Sequence, residues 1–273
     1  MKRKASRVAI YALLIVGALT MLLPFYWMII SAFKTPEQIA QMPPLWFPTS
    51  FRLDNFEYAM TYAAFGRYIF NSLLVTVCNM VCTMIITILA AFAFSRLSFP
   101  GRDVIFSIFL GFMMVPFELV AITNYGTIVQ MGGLDSYTAL IFPYTANVLY
   151  VYILRNFFLG IPNSLYHAAR IDGASNFKYL TRIMIPVAKP ALVTIALLNG
   201  IDTWNSFLWP MLIINDPNMR TVTIGLTSFV QDAGIRYERL MAAACIVVLP
   251  MIILFLFARK YIITAMARGG IKG

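Results

Sequence analysis

Few side chains in this 273-residue sequence could act as a nucleophile, a base or a metal ligand. The single histidine, His167, has no serine or carboxylate placed in sequence to indicate a catalytic triad. The cysteines, Cys78, Cys82 and Cys245, lack C-x-x-C spacing and indicate neither a zinc site nor a disulfide framework. No G-x-x-x-x-G-K motif followed by Ser or Thr occurs, so nucleotide chemistry is not expected. We therefore expect no catalytic residue, no metal site and no cofactor.

Two carboxylates, Glu118 and Asp202, lie in long apolar stretches. In a lipid core each would cost roughly 3 kcal/mol unless it faced the protein interior or water. Asp202 also belongs to a set of residues spaced by three or four positions, which share one face of a continuous helix. The set is Asn199, Asp202, Asn205 with Ser206, and Trp209. These residues and Glu118 either line a water-accessible translocation path or form hydrogen bonds between helices.

The elements that carry these residues are predicted to be membrane-spanning helices. Hydrophobic residues make up 60% of the chain and charged residues 12%, and the mean hydropathy is +0.79, far from the values of soluble proteins. Six apolar runs are long enough to cross a hydrocarbon layer of about 30 Å. They are residues 8–31, 68–94, 104–123, 139–158, 191–214 and 240–264. The sequence therefore predicts an all-α polytopic protein of the lipid bilayer, with six transmembrane helices in one domain, residues 1–273.

The distribution of charge predicts the orientation of the chain. The net charge of +10 does not indicate nucleic acid, because the basic residues do not form one patch with interleaved aromatic residues. Most of them lie in the two terminal tails, around residues 96–102 and in the stretch 155–190. The alternate connections hold Glu37, Asp54, Glu57, Asp135, Asp216, Asp232 and Glu238. By the positive-inside rule, the basic connections and both termini face the cytoplasm.

The longest cytoplasmic connection, residues 159–190, is predicted to fold as a helix, a turn and a second helix. Asn163 is expected to cap the first helix, residues 164–171, and Gly173 to end it. Ser175 is expected to cap the second helix, residues 176–184, which Pro186 and Pro190 would end. Its residues at helical spacing are Phe177, Leu180 and Ile183 or Met184, and the first helix carries a small-residue surface at Ala168 and Ala169.

This connection contains the sequence His-Ala-Ala-Arg-Ile-Asp-Gly-Ala-Ser from His167 to Ser175, followed by Pro186. It resembles the EAA coupling loop of ABC importer permeases, whose pattern is roughly E-A-A-x-x-D-G-A with a proline about a dozen residues later. The resemblance extends over nearly the whole chain. It includes Leu23-Pro24-Phe25-Tyr26-Trp27, Ser31-Ala32-Phe33-Lys34, Val115-Pro116, Trp204-Asn205, Leu208-Trp209-Pro210 and the tail Gly269 to Gly273. The chain is similar to the six-helix, maltose-permease-like subunit of carbohydrate-uptake ABC systems.

The resemblance implies a subunit of the bacterial cytoplasmic membrane that pairs with a second, different permease subunit. It also implies two cytoplasmic ABC ATPase subunits, which would hydrolyse the ATP, and an extracytoplasmic solute-binding protein. The loop would dock in a cleft of one ATPase, and the tail would reach the ATPase interface. The residues carried over by the pattern are His167, Ala168, Ala169, Asp172, Gly173, Ala174 and Pro186. Of these, Asp172 would cap the turn, the small residues would permit close approach, and His167 departs from the usual glutamate.

The function implied is import of a sugar or oligosaccharide, and two alternatives remain. An ABC permease for glycerol phosphate or another small organic solute would share the loop, although a basic path for an anion is not evident. A proton-coupled secondary transporter would use Glu118 and Asp202. Against it stand the six spans, the absence of a detectable inverted repeat and the coupling loop.

Overall fold

The computed structural model describes residues 2–231 and 234–269. It is helical except for one antiparallel ladder of two two-residue strands. In chain order the elements are α1 (Lys2–Ala32), α2 (Pro36–Ala40), α3 (Asp54–Thr61), α4 (Phe65–Arg96), α5 (Arg102–Phe112), α6 (Phe117–Gln130), α7 (Tyr137–Ile141), α8 (Val148–Leu159), α9 (Asn163–Ile171), α10 (Asn176–Tyr179), α11 (Ile185–Val187), α12 (Lys189–Trp204), α13 (Leu208–Ile213), α14 (Val222–Gly225), β1 (Val230–Gln231), β2 (Gly234–Ile235) and α15 (Tyr237–Gly269). A π-helical turn, Leu180–Met184, joins α10 to α11. The predictions for Asp232 and for residues 270–273 lie outside the described residues.

Three segments of the described chain are long and apolar enough to cross a membrane, namely Ala9–Ala32, Phe65–Arg96 and Tyr237–Phe257. Three helix pairs pass the same test together but are bent at a short break. They are Arg102–Phe112 with Phe117–Gln130 (96°), Tyr137–Tyr144 with Val148–Leu159 (46°) and Asn176–Val187 with Lys189–Trp204 (80°). If each bent pair is one span, the described chain has up to six spans, which is the predicted number. The last pair begins at Asn176, within the predicted cytoplasmic connection, and not at residue 191.

The breaks correct the prediction of continuous helices. The predicted span 104–123 is two helices, because the chain turns before Pro116, which has no N–H to continue the ladder and takes an extended conformation. The predicted span 191–214 is also two helices. The first ends at Trp204, and Phe207 adopts a non-helical conformation before α13 begins. Pro190 lies in the first turn of α12, so it begins that helix rather than ending the one before it.

The chain forms two compact units, of which the first contains residues 1–69 and 224–250. Its buried contacts are aromatic. Phe65 packs edge-on against Tyr68 and against Phe229, with ring centroids 6.2 Å and 5.7 Å apart. Asn55 is buried and its amide donates to the carbonyls of Ala32 and Lys34, which fixes the chain where α1 ends. These contacts order the segments that follow the first span.

The second unit contains residues 70–223 and 251–273. Its main core combines side chains from α4, α8 and α12, including the fully buried Leu154, Phe158 and Ile195. Arg155 joins α8 to its neighbours, because its Nε donates to the Phe94 carbonyl and its guanidinium lies 4.1 Å from the centre of the Phe106 ring. This core packs α8 and α12, each part of a bent pair, against the continuous helix α4.

In the second unit, the connection between α6 and α7 is held by the carboxylate of Asp135. Asp135 Oδ1 accepts hydrogen bonds from the backbone N–H groups of Asp216 and Asn215, at 2.8 Å and 2.6 Å. Because these bonds favour the charged form, they hold the pKa of the Asp135 carboxyl below its usual range. The bonds tie the α6–α7 connection to the segment that follows α13.

We expect Gly225→Ala to destabilise the first unit. A Cβ atom at Gly225 would lie 2.4 Å from Cδ2 of the buried Tyr68 ring and 3.3 Å from Cε2 of Phe65, so the rings would have to move. Overpacking of this kind costs about 1–3 kcal/mol, which should lower the unfolding temperature of the purified protein. Gly126→Ala is the matched control, because nothing lies within 4 Å of a Cβ atom there. An unchanged unfolding temperature in Gly225→Ala would contradict this packing.

Candidate functional site

The turn between α9 and α10 is a helix C-cap built on glycine. Gly173 has φ +74°, in the left-handed region that glycine adopts without a steric penalty. Its N–H donates to the Arg170 carbonyl at 3.1 Å, and the Ala174 N–H donates to the Ala169 carbonyl at 2.9 Å. This pair of bonds is the Schellman motif, and the prediction that Gly173 ends the first helix is confirmed. Backbone groups close the turn, whereas the side chain of Asp172 is exposed.

The second helix begins as predicted, because the Ser175 hydroxyl accepts from the Lys178 N–H at 3.2 Å. Two further contacts hold the helices together. The Tyr166 hydroxyl donates to Asn176 Oδ1 at 2.9 Å, and the Tyr166 ring packs edge-on against Tyr179 at 5.0 Å. The structure does not end this helix at Pro186, which is exposed and lies within α11. The turn is therefore a rigid unit whose two arms are joined by side chains.

The capping role predicted for Asn163 is wrong, because α9 begins at that residue and Pro162 occupies the N-cap. The Asn163 side chain accepts a hydrogen bond from Nη1 of Arg96 instead, at 2.6 Å. Nη2 of the same guanidinium donates to the carbonyls of Phe158 and Ile161, each at 2.6 Å. Arg96 at the end of α4 thus fixes the chain just before α9, a role that its sequence context did not reveal.

The α9–α10 turn exposes apolar side chains. Ile171 is 87% exposed and Phe177 is 69% exposed, and both flank Gly173. The helical spacing of Phe177, Leu180 and Met184 does not produce one buried face. Leu180 and Met184 are buried in the core, whereas Phe177, in the first turn of its helix, is exposed. Sequence reasoning missed Ile171 altogether. Side chains this apolar and this exposed, on a rigid turn, are typical of a surface that a partner covers.

The small residues of this turn divide between two environments. Ala168 is exposed beside the exposed His167, whereas Ala169 is buried and packs in the core of the second unit. Ala174 is half-buried against the same core. The predicted small-residue surface therefore consists of Ala168 and Gly173, and Ala169 is small because the core is close.

A second candidate site is a cavity of about 190 Å³ within the second unit. Its polar and aromatic lining residues are Ser72, Asn79, Phe117, Tyr144, Asn147, Tyr150, Asn199, Asp202, Thr203, Ser206, Trp209 and Thr221. Four residues of the predicted set, Asn199, Asp202, Ser206 and Trp209, meet here. Glu118 and Asn205 do not line it. Glu118 lies on α6, and Asn205 follows the end of α12 at Trp204, so the predicted single helix face is not continuous.

The polar groups of the cavity form a network centred on Asn79. Its Oδ1 accepts from Asn199 Nδ2 and from the Thr203 hydroxyl, each at 3.1 Å, and its Nδ2 donates to the Ile141 carbonyl at 3.0 Å. Sequence reasoning missed Asn79, which is fully buried in the second predicted span. A buried asparagine in an apolar run was the available signal, since burying an amide is costly unless its hydrogen bonds are made.

Asp202 and Trp209 have separate partners. Asp202 Oδ2 accepts from the Tyr150 hydroxyl at 2.6 Å, which holds the carboxylate at the cavity wall. Trp209 is 1% exposed, and its indole N–H donates to the Ala139 carbonyl at 2.9 Å. Two buried atoms in the lining, Asn199 Oδ1 and the Tyr144 hydroxyl, have no hydrogen-bond partner among the residues that the structure describes. Both remain available to water or a polyhydroxylated solute.

Comparison with known proteins places these features in one family. Residues 83–268 match the family described as "Binding-protein-dependent transport system inner membrane component". The chain is 30% identical to the arabinooligosaccharides transport system permease protein AraQ of Halalkalibacterium halodurans, over the full length of both chains. It is 35% identical to the trehalose/maltose transport system permease protein MalG of Thermococcus litoralis and 28% identical to the sn-glycerol-3-phosphate transport system permease protein UgpE of Brucella suis, in each case over 96% of both chains.

Among solved structures, the fold matches a chain of a bacterial ABC transporter involved in the import of the acidic polysaccharide alginate. The TM-score is 0.85 at 23% identity, over 95% of this chain and 97% of the other. At this identity the likeness concerns the fold, which is that of an ABC importer permease. With the family match covering both the α9–α10 turn and most cavity residues, the chain belongs to the inner membrane components of binding-protein-dependent transport systems, multi-pass permeases that are not themselves enzymes.

Proposed function

We propose that this chain is the transmembrane permease subunit of an ABC importer that translocates a sugar or oligosaccharide delivered by an external binding protein. The observation that carries the proposal is the exposed, rigid turn at Gly173, in a chain similar from end to end to an arabinooligosaccharide permease. A second permease subunit would complete the translocation path. Two cytoplasmic ABC ATPases would supply the energy, one of them docking on the turn. The whole chain acts as one permease domain, with residues 159–190 as its coupling loop.

The coupling role fits the surface of the turn. His167, Ala168 and Asp172 are exposed just before Gly173. Apart from the adjoining residues, no atom of the described chain lies within 4 Å of a Cβ placed on that glycine. An ATPase surface can therefore approach the backbone closely. The exposed Ile171 and Phe177 would supply apolar area to the contact, whereas Ala169, Ala174 and Pro186 would support the turn from behind or beside it.

The cavity favours a neutral cargo over an anionic one. Its lining contains the carboxylate of Asp202 and no lysine, arginine or histidine side chain. An anion such as glycerol phosphate would be repelled there, although one relative is named for sn-glycerol-3-phosphate transport. A proton-coupled secondary transporter would use Glu118 and Asp202 together. Glu118 does not line the cavity with Asp202, which argues against this alternative. A polyhydroxylated neutral solute matches the amide and hydroxyl groups of the wall.

The orientation that this role requires has both termini in the cytoplasm. We expect a cysteine at exposed Lys178 to react with an impermeant thiol reagent only from the cytoplasmic side, and a cysteine at exposed Gln41 only from the external side. The measurement is labelling of sealed vesicles of known sidedness. The reverse pattern at either position would show that the helices are assigned to the wrong direction.

We expect Gly173→Arg to abolish coupling while the chain still inserts into the membrane. Arginine would pay about 1 kcal/mol for the left-handed conformation and would place a bulky charge in the ATPase contact. Retention of the ATPase on purification, and ATP turnover stimulated by the loaded binding protein, should both fall about tenfold or more, which corresponds to about 1.4 kcal/mol of docking free energy.

The control is Gly173→Asn, since asparagine tolerates the left-handed conformation better than other side chains and carries no charge. It should retain most of the ATPase. Wild-type retention and wild-type stimulated turnover in Gly173→Arg would show that this turn is not the coupling element.

We expect Asp202→Asn to reduce uptake severalfold without affecting assembly. The substitution keeps the volume and an acceptor for the Tyr150 hydroxyl but removes the charge from the cavity wall. Asn205→Leu, which would impair uptake if the residue shared the predicted helix face, becomes the control, because Asn205 lies outside the lining. The measurement is solute uptake normalised to assembled complex. If Asp202→Asn prevents assembly while the surviving complex transports normally, the carboxylate is a structural hydrogen-bond partner.

A further inference from the structure

The loop after the first span, residues 33–53, presents a large uncharged apolar surface. Met42 is 83% exposed, Phe47 is 73% exposed and Phe51 is 74% exposed. No charged residue occurs between Glu37 and Arg52. A water-exposed loop of this length ordinarily carries charge, and exposed aromatic residues in such number indicate a surface that is covered.

The loop lies beside the end of α1 instead of extending away from it. The Tyr26 hydroxyl donates to the Trp46 carbonyl at 2.5 Å, and the rings of Trp27 and Trp46 pack edge-on at 5.8 Å. Tyr26 precedes the last residue of α1, Ala32, by six residues, which is about 9 Å along a helix axis. The loop therefore doubles back to the level of the last two turns of the span.

This fold-back is held by several contacts. Lys34 is fully buried, and its amine donates to the Leu45 carbonyl at 2.5 Å while lying 4.1 Å from the centre of the Trp27 ring. Burial lowers the pKa of the Lys34 amine, and the carbonyl and the ring partly replace the water it has lost. The Arg52 N–H donates to the Phe33 carbonyl at 3.0 Å and closes the loop at its base. The loop is thus fixed against the end of α1, with Trp46 and Phe47 beside Trp27 and Tyr26 and with Phe51 beside Phe33.

The position of the loop beside the end of α1 indicates what covers its exposed apolar side chains. The window of α1 that passes as a membrane span is only 6% buried within the chain, so the loop borders a helix surrounded by lipid or a partner. Where a span ends, the bilayer changes from hydrocarbon to headgroups, and aromatic side chains with nearby polar groups are enriched at that level. An uncharged chain whose carbonyls are partly hydrogen-bonded can place its apolar side chains in this layer at little cost.

We propose that the 33–53 loop is a membrane-interface anchor, in which Met42, Trp46, Phe47 and Phe51 lie in the headgroup layer of the leaflet at that end of α1. The anchor would fix the depth and tilt of a span that makes few contacts of its own. Lys34 is the positioning residue, because it holds the loop against the helix. The proposal depends on the membrane location of the chain and not on its cargo.

Lipid-resident quenchers test the proposal in the full transporter. A cysteine-free background (Cys78→Ala, Cys82→Ala, Cys245→Ala) carries either Phe47→Cys or Glu37→Cys, each labelled with the same small fluorophore. Both positions are exposed on the same loop, but Glu37 is charged and belongs in water. In liposomes containing a headgroup nitroxide lipid, we expect quenching at position 47 to exceed that at position 37 by about two- to threefold. Adding Lys34→Met should reduce the difference.

Two results would overturn the proposal. Equal quenching at positions 47 and 37 would place the apolar surface in water. A fluorophore at position 47 that is shielded from water but insensitive to nitroxides in the headgroup or the acyl chain would show that protein covers the surface. A shift in its emission when the loaded binding protein is added, without nitroxide quenching, would identify that protein as the cover.

Discussion

The structure depends on one constraint, which is that backbone groups released at a break in a membrane helix need partners that lipid cannot provide. Side chains of the second unit meet this requirement. At the break between α7 and α8, the Asn79 amide donates to the Ile141 carbonyl and the Trp209 indole donates to the Ala139 carbonyl. Thr223 donates to the Ser206 carbonyl, just after α12 ends. Polar residues in apolar runs are therefore needed for the breaks before any are available for a solute.

This requirement bears on the two alternatives for the predicted set Asn199, Asp202, Asn205 with Ser206, and Trp209, namely a translocation path or structural hydrogen bonds. Trp209 is used by the fold, because its indole has a backbone partner and its ring is buried. Asn199 and Asp202 remain, since Asn199 Oδ1 has no partner among the described residues and Asp202 binds only a tyrosine hydroxyl in the cavity wall. Structural hydrogen bonding therefore accounts for Trp209. The path role stays a prediction for Asn199 and Asp202, which also bind Asn79 and Tyr150. Buried hydrogen-bonding groups that have no backbone partner are the candidates for binding a solute.

The sequence predicted what local rules determine. Span count follows from hydropathy, and the end of α9 at Gly173 and the start of α10 at Ser175 follow from helix-capping chemistry. The sequence-based predictions failed where a side chain interacts with a residue that is distant in the sequence. Asn163 is bound by Arg96 across 67 positions. Phe177 is exposed in the first turn of its helix, although its spacing groups it with the buried Leu180 and Met184. The break after Trp204 was missed because Asn205 and Ser206 are compatible with a helix, and the conformation is stabilised by a contact from Thr223.

The two candidate sites are joined by a short covalent path. Only Ala188 separates α11 from α12, and it is fully buried, with its N–H donating to Met184 and its carbonyl accepting from Leu192. The corner bends by 80° and connects the segment after the α9–α10 turn directly to the helix that carries Asn199 and Asp202. From Lys189 to Asp202 the helix rises about 20 Å. The corner therefore connects the turn covalently to the helix of the cavity wall, and coupling between the two sites would require this element to adopt two arrangements that both sites bias.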